Sequence, residues 1–386
     1  MITRLTSGPL HHFFGYYGTQ PWNATDQFHL ALETSFHEHA PLETDIAAVG
    51  VVETASGKFL RVSETRAFNL QQGSMLYWIN VGQGEELTHN DWQGGRLVTK
   101  AINPRTGKAR TINGAIAAVS PRDPVAVGLN YARTYICRNV TGYAHSLFTH
   151  QTIRPIPDDD GLFRLDLKTG ESRLIVSITD VEKMRPCPDS QGQLGWFEHV
   201  IFNTTGSRMA FLYRMTQPAG KRFLDSLWSV DSDGGNLECL IGYGKLISHF
   251  AWANEDTLML SCNALNDLQF VWLTDRTKHM TPCNISDFPE DGHNAFSPDF
   301  SRIVCDTYPR GPERLRRLMV HDRKSKETLQ VGAFQHPENI KGDWRCDLHP
   351  RWSRNGRQVS FDSAHEGSRQ IYIADVPAAL SSNLNA

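Results

Sequence analysis

Sixteen histidines in 386 residues are a large supply of imidazole, and three of them stand in one register. Ser248-His249-Phe250, Asp291-Gly292-His293 and Cys346-Asp347-Leu348-His349 each lie just before an aromatic residue, Trp252, Phe296 and Trp352 respectively. If those aromatics mark equivalent points of a repeat, the three segments present imidazole or thiolate to one place. Cys346 and His349, three residues apart, could both reach it. His249, His293, Cys346 and His349 would then form a mixed nitrogen and sulfur set suited to tetrahedral Zn²⁺. Four protein ligands leave no open position, which reads as a structural ion stapling neighbouring units. With three, the ion could polarise a substrate, and another divalent cation is the alternative. The competing reading is three unrelated turn histidines, since a lone His is more often a hydrogen-bonded structural residue. The repeated register favours the metal.

A second group lies earlier. Asn130-Tyr131 follows the apolar run 125–129, His150 falls in a polar stretch, His199 precedes Phe202, and Arg214 follows the run 210–213. A histidine, a second histidine or tyrosine, and an arginine suit removal of a proton α to a carboxylate. The guanidinium pairs with the carboxylate while a neutral base takes the proton. Tyr131 and Tyr143 are the phenolic candidates for that base. His29, His37, His39, His279, His321 and His336 sit in polar turns or strand edges and read as structural.

What must position these residues is a repeat. An aromatic, a small or polar residue, an Asp/Asn/Gly turn and an apolar strand recur as Phe202-Asn203-Thr204-Thr205-Gly206, Phe296-Ser297-Pro298-Asp299 and Trp352-Ser353-Arg354-Asn355-Gly356, with looser copies at Trp22, Val119 and Trp252. Each copy reads as a hairpin, and the late copies are spaced by about 45–55 residues, the length of a four-stranded propeller blade. Strands at 161–167 and 370–375 would be further members of such blades. With a degenerate copy near 71–80, the expectation is an all-β, seven-bladed β-propeller forming one domain over 1–386. Six or eight blades, or a pair of β-sandwiches, are the alternatives. A surplus around 138–160, carrying Tyr143, His145 and His150, reads as a long insertion dressing the central channel.

Composition narrows the partners. A net charge of −3 gives no global footprint for nucleic acid or anionic lipid, and no apolar run reaches membrane-spanning length. The seven cysteines are scattered without a tight pair, which argues against a disulfide framework. The first 18 residues lack a signal-like apolar run, so a cytoplasmic location is expected, or a periplasmic or secreted one if a leader has been removed. A monomer or weak homo-oligomer is expected.

The stretches at 11–23, 155–175, 199–214, 248–252, 291–299 and 346–372 together resemble the seven-bladed propeller polysaccharide lyases, the ulvan lyases most closely and oligogalacturonate lyase more distantly. The resemblance implies β-elimination at a uronic acid in an anionic polysaccharide or oligosaccharide. It implies Arg214 as carboxylate neutraliser, His150 and His199 as the acid/base pair, and His249, His293, Cys346 and His349 as a zinc site. Oligogalacturonate lyase has a related late histidine cluster for a catalytic divalent metal, with a His-Pro-His-Pro motif where this chain has Asp347-Leu348-His349-Pro350. Two further departures fall at Asn130-Tyr131 and at Trp196-Phe197-Glu198-His199. The alternatives to a lyase are a non-catalytic binding platform resembling the TolB-type propeller, and a metal-dependent hydrolase.

Overall fold

The computed structural model describes residues 1–82, 84–218 and 221–379. Their strands form seven antiparallel sheets of four strands each. The first strands of the blades, in chain order, are His11–Phe13, Tyr77–Asn80, Ile116–Val119, Gly195–Phe202, Ile247–Trp252, Asn294–Phe296 and Arg351–Trp352. Six blades are continuous in sequence. The seventh takes its fourth strand from the start of the chain, Ile2–Arg4, which pairs with Gln370–Asp375 in the register Arg4↔Tyr372. The ring is thus closed by main-chain hydrogen bonds, and the fold is the expected seven-bladed propeller.

The repeated phrase has a definite structural job. The residue after the aromatic, or after Val119 in the third blade, closes a hairpin by donating its N–H to the strand beyond the turn: Asn23 to Phe28, Ser120 to Val125, Asn203 to Arg208, Ala253 to Thr257, Ser297 to Arg302 and Ser353 to Gln358, all at 2.8–2.9 Å. The aromatic itself reaches back to the preceding blade. Trp252 Nε1 donates to Ile201 O (3.3 Å), Trp352 Nε1 to Ala295 O (3.2 Å) and Trp78 Nε1 to Pro21 O (2.8 Å). The indoles of Trp252 and Trp352 are buried and that of Trp78 partly so, adding apolar contact between neighbouring sheets worth roughly 1.5–3 kcal/mol for a fully buried large side chain. Because the aromatics hold equivalent places around the ring, residues at a fixed offset from them converge on the axis.

The surplus chain lies in the third blade, between strands Val125–Gly128 and Gly161–Asp166. It begins earlier than the sequence pattern indicates, with a seven-residue helix, α1 (Tyr131–Cys137), capped by Asn130, whose side chain accepts from Arg133 N. A second short helix, α2 (Ile178–Met184), opens with a capping box between Ser177 and Asp180. Neither helix is long enough for a hydrophobic period to stand out from the surrounding strands. No helix among the described residues is long and apolar enough to cross a membrane.

Candidate functional site: an axial cavity ringed by histidines and arginines

Four histidines occupy the same position in four consecutive blades. His199, His249, His293 and His349 each stand three residues before the repeat aromatic (Phe202, Trp252, Phe296, Trp352), and all four line one cavity of about 270 Å³ on the propeller axis. Ring centroids are 6.4 Å apart for His199–His249, 4.0 Å for His249–His293 and 4.2 Å for His293–His349. The backbone bends to bring them in. His199 and His349 adopt left-handed conformations (φ 54° and 43°), and the first strands of blades four and five carry bulges at 198–201 and 247–250. Such conformations are unfavourable for a residue with a Cβ and persist where the surroundings impose them.

The floor is Tyr16-Tyr17. Tyr17 lies against His249, His293 and His349, with centroid distances of 5.1–6.2 Å. Its hydroxyl accepts from Phe250 N at 3.2 Å. Tyr16 faces His199 at 5.6 Å and also lines a second cavity on the opposite side of the channel. Asp362 fixes this segment, accepting from Gly15 N (3.0 Å) and pairing with buried Arg351 (2.8 Å). Gly15 is required there: at φ 105°, an added Cβ would lie 2.4 Å from Gly73 N, beside the Gln71-Gln72 pair that also lines the cavity.

Carboxylates behind the imidazoles set their orientation. His249 Nδ1 meets Asp291 Oδ1 at 3.0 Å, and Ser248 Oγ donates to the other oxygen at 2.8 Å. His293 Nδ1 meets Asp306 Oδ1 at 2.9 Å, and Asp306 also accepts from the main-chain N–H of His293 and of His349. A carboxylate on Nδ1 holds that nitrogen as the donor and leaves Nε2 with a free lone pair. Burial lowers the pKa of His249, with the neighbouring His293 adding to the effect and Asp291 opposing it. Burial holds His199 and His349 well below the usual imidazole range, so both are neutral near pH 7.

The rest of the lining is cationic. Arg138, Arg214, Arg222 and Arg345 all line the cavity, and among the described residues no Asp or Glu belongs to its lining. Asp347, whose carboxylate approaches His293 and His349, is paired with Arg316 and Arg345. The counter-ions of the other lining arginines stand behind them. Glu198 pairs with Arg214 and with Arg138 (3.2 Å), and Asp225 meets Arg214 (2.7 Å) and Arg222 (3.0 Å). Burial pushes the Glu198 carboxyl up, but Arg214 and Arg138 overrule it and hold it well below the carboxylate range. Phe223 gathers the guanidinium groups of Arg138, Arg214 and Arg222 at 5.5, 4.6 and 5.2 Å from its ring centroid. Tyr308 is wedged between His293 (5.9 Å) and Arg345 (5.6 Å), and burial raises its phenol well above the ordinary value.

A group of possible metal donors lies within this ring. One ligand atom from each of His293, Asp347 and His349 falls within 4.8 Å of the others, and all three residues are buried. His293 Nε2 and His349 Nε2 are 3.2 Å apart. With metal–nitrogen bonds of about 2.1 Å, that separation subtends roughly 100° at a shared cation, compatible with tetrahedral or octahedral coordination. The His/carboxylate chemistry therefore fits a divalent cation. Asp347 is also held by Arg316 (2.7 Å) and Arg345 (2.9 Å), which keep its carboxyl ionised despite burial.

Several of the expected residues are not in the cavity. Cys346 points the other way, packing with Ile340, Ala364 and Trp344, and burial raises its thiol to about 11. The adjacent Asp347 takes the place expected of it, because neighbouring residues of an extended segment face opposite sides. His150 lies exposed at the tip of the insertion. His145 is turned onto Trp92 (4.3 Å), while Arg138, Val140 and Thr141 are the parts of the insertion that reach the channel. Asn130 is occupied as the α1 cap and donates to Asp160 (2.8 Å). Tyr131 is buried, stacked on Tyr143 at 4.4 Å. Of the residues named from the sequence, His199, Arg214, His249, His293 and His349 share the cavity. Arg138, Arg222, Tyr308, Arg345 and Asp347 were missed, because nothing in their local sequence aligns them with the repeat.

Comparison with known proteins adds one observation. The chain shares its propeller fold with oligogalacturonate lyases. The structure of oligogalacturonate lyase from Vibrio parahaemolyticus superposes with a TM-score of 0.68 at 17% identity, covering 98% of this chain and 94% of that one. Oligogalacturonate lyase in complex with manganese gives 0.67 at 17% identity, covering 98% and 93%. A puromycin-hydrolyzing peptidase from Mycobacterium tuberculosis matches at 0.52 and 11% identity, covering 89% of this chain but 49% of that one. No protein-family model matches the chain, and no curated protein does. At such identities the likeness carries the fold.

Proposed function

We propose that this propeller is a lyase that cleaves a uronate-containing oligosaccharide or polysaccharide by β-elimination, with a divalent cation at His293, Asp347 and His349. The observation that carries the reading is the lining of the axial cavity: carboxylate-oriented imidazoles on one side and four guanidinium groups on the other, with no Asp or Glu in the lining itself among the described residues. A cavity with that lining takes an anion, and a sugar carboxylate is one that also offers an acidic carbon–hydrogen bond. The full-length match in fold to oligogalacturonate lyase, one structure of which is a manganese complex, supports the same class.

The chain's own groups divide the work. Arg214 and its neighbours Arg138, Arg222 and Arg345 pair with the uronate carboxylate and stabilise the charge that builds on it. His249 is the better-placed base than His199. Its Nδ1 is held by Asp291, which fixes the tautomer and stabilises the imidazolium that forms. His199 has no hydrogen-bond partner at Nδ1 among the described residues, the Glu198 carboxylate standing 3.9 Å away and tied to Arg214 and Arg138. His249 Nε2 takes the proton from the carbon α to the carboxylate. The electron pair of that C–H bond becomes the new double bond, the bond to the β oxygen breaks, and the departing oxygen takes a proton from solvent water, the His249 imidazolium returning its own to solvent afterwards. A divalent cation would supply Lewis-acid stabilisation of the carboxylate in its dianionic, enolate-like form. Ulvan and galacturonate oligomers are both candidate substrates, and a nitrogen and oxygen donor set without Cys346 does not single out zinc.

The test is incubation with ulvan, oligogalacturonates and glycosaminoglycan fragments, with Mn²⁺, Zn²⁺, Ca²⁺ or Mg²⁺, following the ultraviolet absorbance of an unsaturated uronate. Product formation that is abolished in Arg214→Lys and His249→Ala is expected. Absence of product with every substrate and cation overturns the reading.

A further inference from the structure

Away from the axial cavity, a cluster of donor atoms stands where the first blade begins. His11 opens the strand His11–Phe13, and His37-Glu38 follows the second strand, Phe28–Thr34. The His11 and His37 rings are stacked, 3.8 Å between centroids at 19°. His37 is only 2% exposed, and the Nδ1 atoms of both rings are buried without a hydrogen-bond partner among the described residues. Buried polar atoms are nearly always satisfied, so two adjacent orphans call for an explanation. Burial lowers the pKa of His11 and takes His37 down to about 4, leaving both rings neutral with lone pairs available. Glu38 completes the group: its Oε2 accepts from His37 N at 2.9 Å, and its Oε1 lies 3.5 Å from His37 Nε2. One ligand atom from each of the three residues falls within 4.8 Å of the others.

The neighbours do not compete for these atoms. His12, on the opposite face of the strand, is engaged by Glu33 (3.0 Å) and Gln370 (3.1 Å). The nearby cation, Arg369, is spent on main-chain carbonyls of Leu70, Trp344 and Arg345 at 2.7–3.0 Å.

We propose that His11, His37 and Glu38 form a second transition-metal site of the zinc class, separate from the axial cluster. Two imidazoles and one carboxylate suit Zn²⁺ and its neighbours over Mg²⁺ or Ca²⁺, and three protein ligands leave a position for water. The ion clips the loop after the second strand to the strand that starts the first blade, and so acts as a fastener beside the ring closure. The proposal does not depend on the lyase reading.

Zn²⁺ alone is the probe. The full chain is stripped with chelator, equilibrated with Zn²⁺, desalted, and its metal content measured alongside a calorimetric titration. A variant with His293→Ala and His349→Ala, checked for folding by circular dichroism, should retain one equivalent. Adding Glu38→Ala, a change at a half-exposed side chain, should weaken that equivalent at least tenfold, and His11→Ala should abolish it. In the otherwise unaltered protein, Glu38→Ala alone should weaken one of two equivalents and leave the other. The proposal is overturned if the axial variant binds no Zn²⁺ while folded, or if Glu38→Ala and His11→Ala leave every Zn²⁺ affinity unchanged.

Discussion

His293 Nε2 and His349 Nε2 face each other at 3.2 Å across the junction of the sixth and seventh blades, with a single carboxylate, Asp306, hydrogen-bonded to the ring of one and the main chain of both. Two imidazole nitrogens held so close either share a proton or share a cation. If they share a cation, adding Mn²⁺ at a hundred times its dissociation constant for this pair should stabilise the fold by about 2.7 kcal/mol. His349→Ala should remove most of that gain. Thermal melts with and without metal check this, and an unchanged shift in His349→Ala would exclude the pair as ligands.

His249 and Asp291 form the dyad assigned to proton removal. His249→Ala should lower kcat by about 10²–10⁴-fold, the usual contribution of a positioned base. Asp291→Asn should lower kcat by less and move KM little, because it disturbs the tautomer and orientation of a base that is still present. Steady-state kinetics on the best substrate separate the two. A KM effect without a kcat effect in His249→Ala would point to binding alone.

How much of this was readable in the chain follows from what a repeat encodes. The aromatic at Trp252, Phe296 or Trp352 and the turn after it do a local job, closing a hairpin and touching the previous blade, so they recur visibly and gave the propeller. His249, His293 and His349 ride on that register and were found with it. His199 keeps the same three-residue offset from Phe202, and the four-fold recurrence was there to be seen. Asp347 was hidden by a one-residue ambiguity. In an extended segment the side chains alternate, and cysteine looked the better ligand until the backbone showed which of the two faces the axis. Arg138, Tyr308 and Arg345 reach the cavity from an insertion and from loops, where no period links sequence position to direction. His37 read as a bland turn residue because its partner His11 is 26 positions away in the chain.

Arg214 is buried between Glu198 and Asp225, and removing it leaves two carboxylates without their main counter-ion. Arg214→Ala should therefore destabilise the fold by about 3–5 kcal/mol as well as abolish turnover. The effect has a pH signature. Glu198 has a depressed folded-state pKa, so its ion pairs contribute stability above the unfolded value of about 4.3, and that contribution is lost as pH falls through the lower folded value. Denaturant titrations of Arg214→Ala should show the deficit at pH 7 and a smaller one near pH 3. An equal deficit at both would mean that packing over Phe223, and not charge, is what Arg214 supplies.

Three histidines far from the cavity contribute to the acid sensitivity of the fold. His29, His89 and His336 are buried, and burial brings them down to about 3, about 4 and about 4. Below the unfolded value of about 6.5 the unfolded chain binds protons that the folded chain refuses. Stability present at pH 7 is therefore lost as pH falls from there toward 4, at a limiting slope of about 1.4 kcal/mol per pH unit for each histidine. Unfolding midpoints at pH 7, 6 and 5 should fall progressively. The triple variant with glutamine at these positions should show a flatter profile between pH 6.5 and 4, and an identical profile would show that other groups govern acid unfolding.

Asn130 and His150, chosen from the sequence for catalysis, give a control with a definite sign. Asn130 caps α1 and donates to Asp160 (2.8 Å), which Arg133 also engages (2.7 Å) while reaching Gly195 O (2.9 Å). That knot anchors the insertion to the strand bearing Glu198 and His199. Loss of the cap in Asn130→Ala should cost about 1 kcal/mol of stability, with kcat within about twofold of the parent because no group in the cavity is removed. His150→Ala, at an exposed tip, should change neither stability nor kcat beyond the usual scatter for surface substitutions of about 0.5 kcal/mol. A large fall in kcat for His150→Ala, with stability intact, would require the insertion to fold over the cavity when substrate binds.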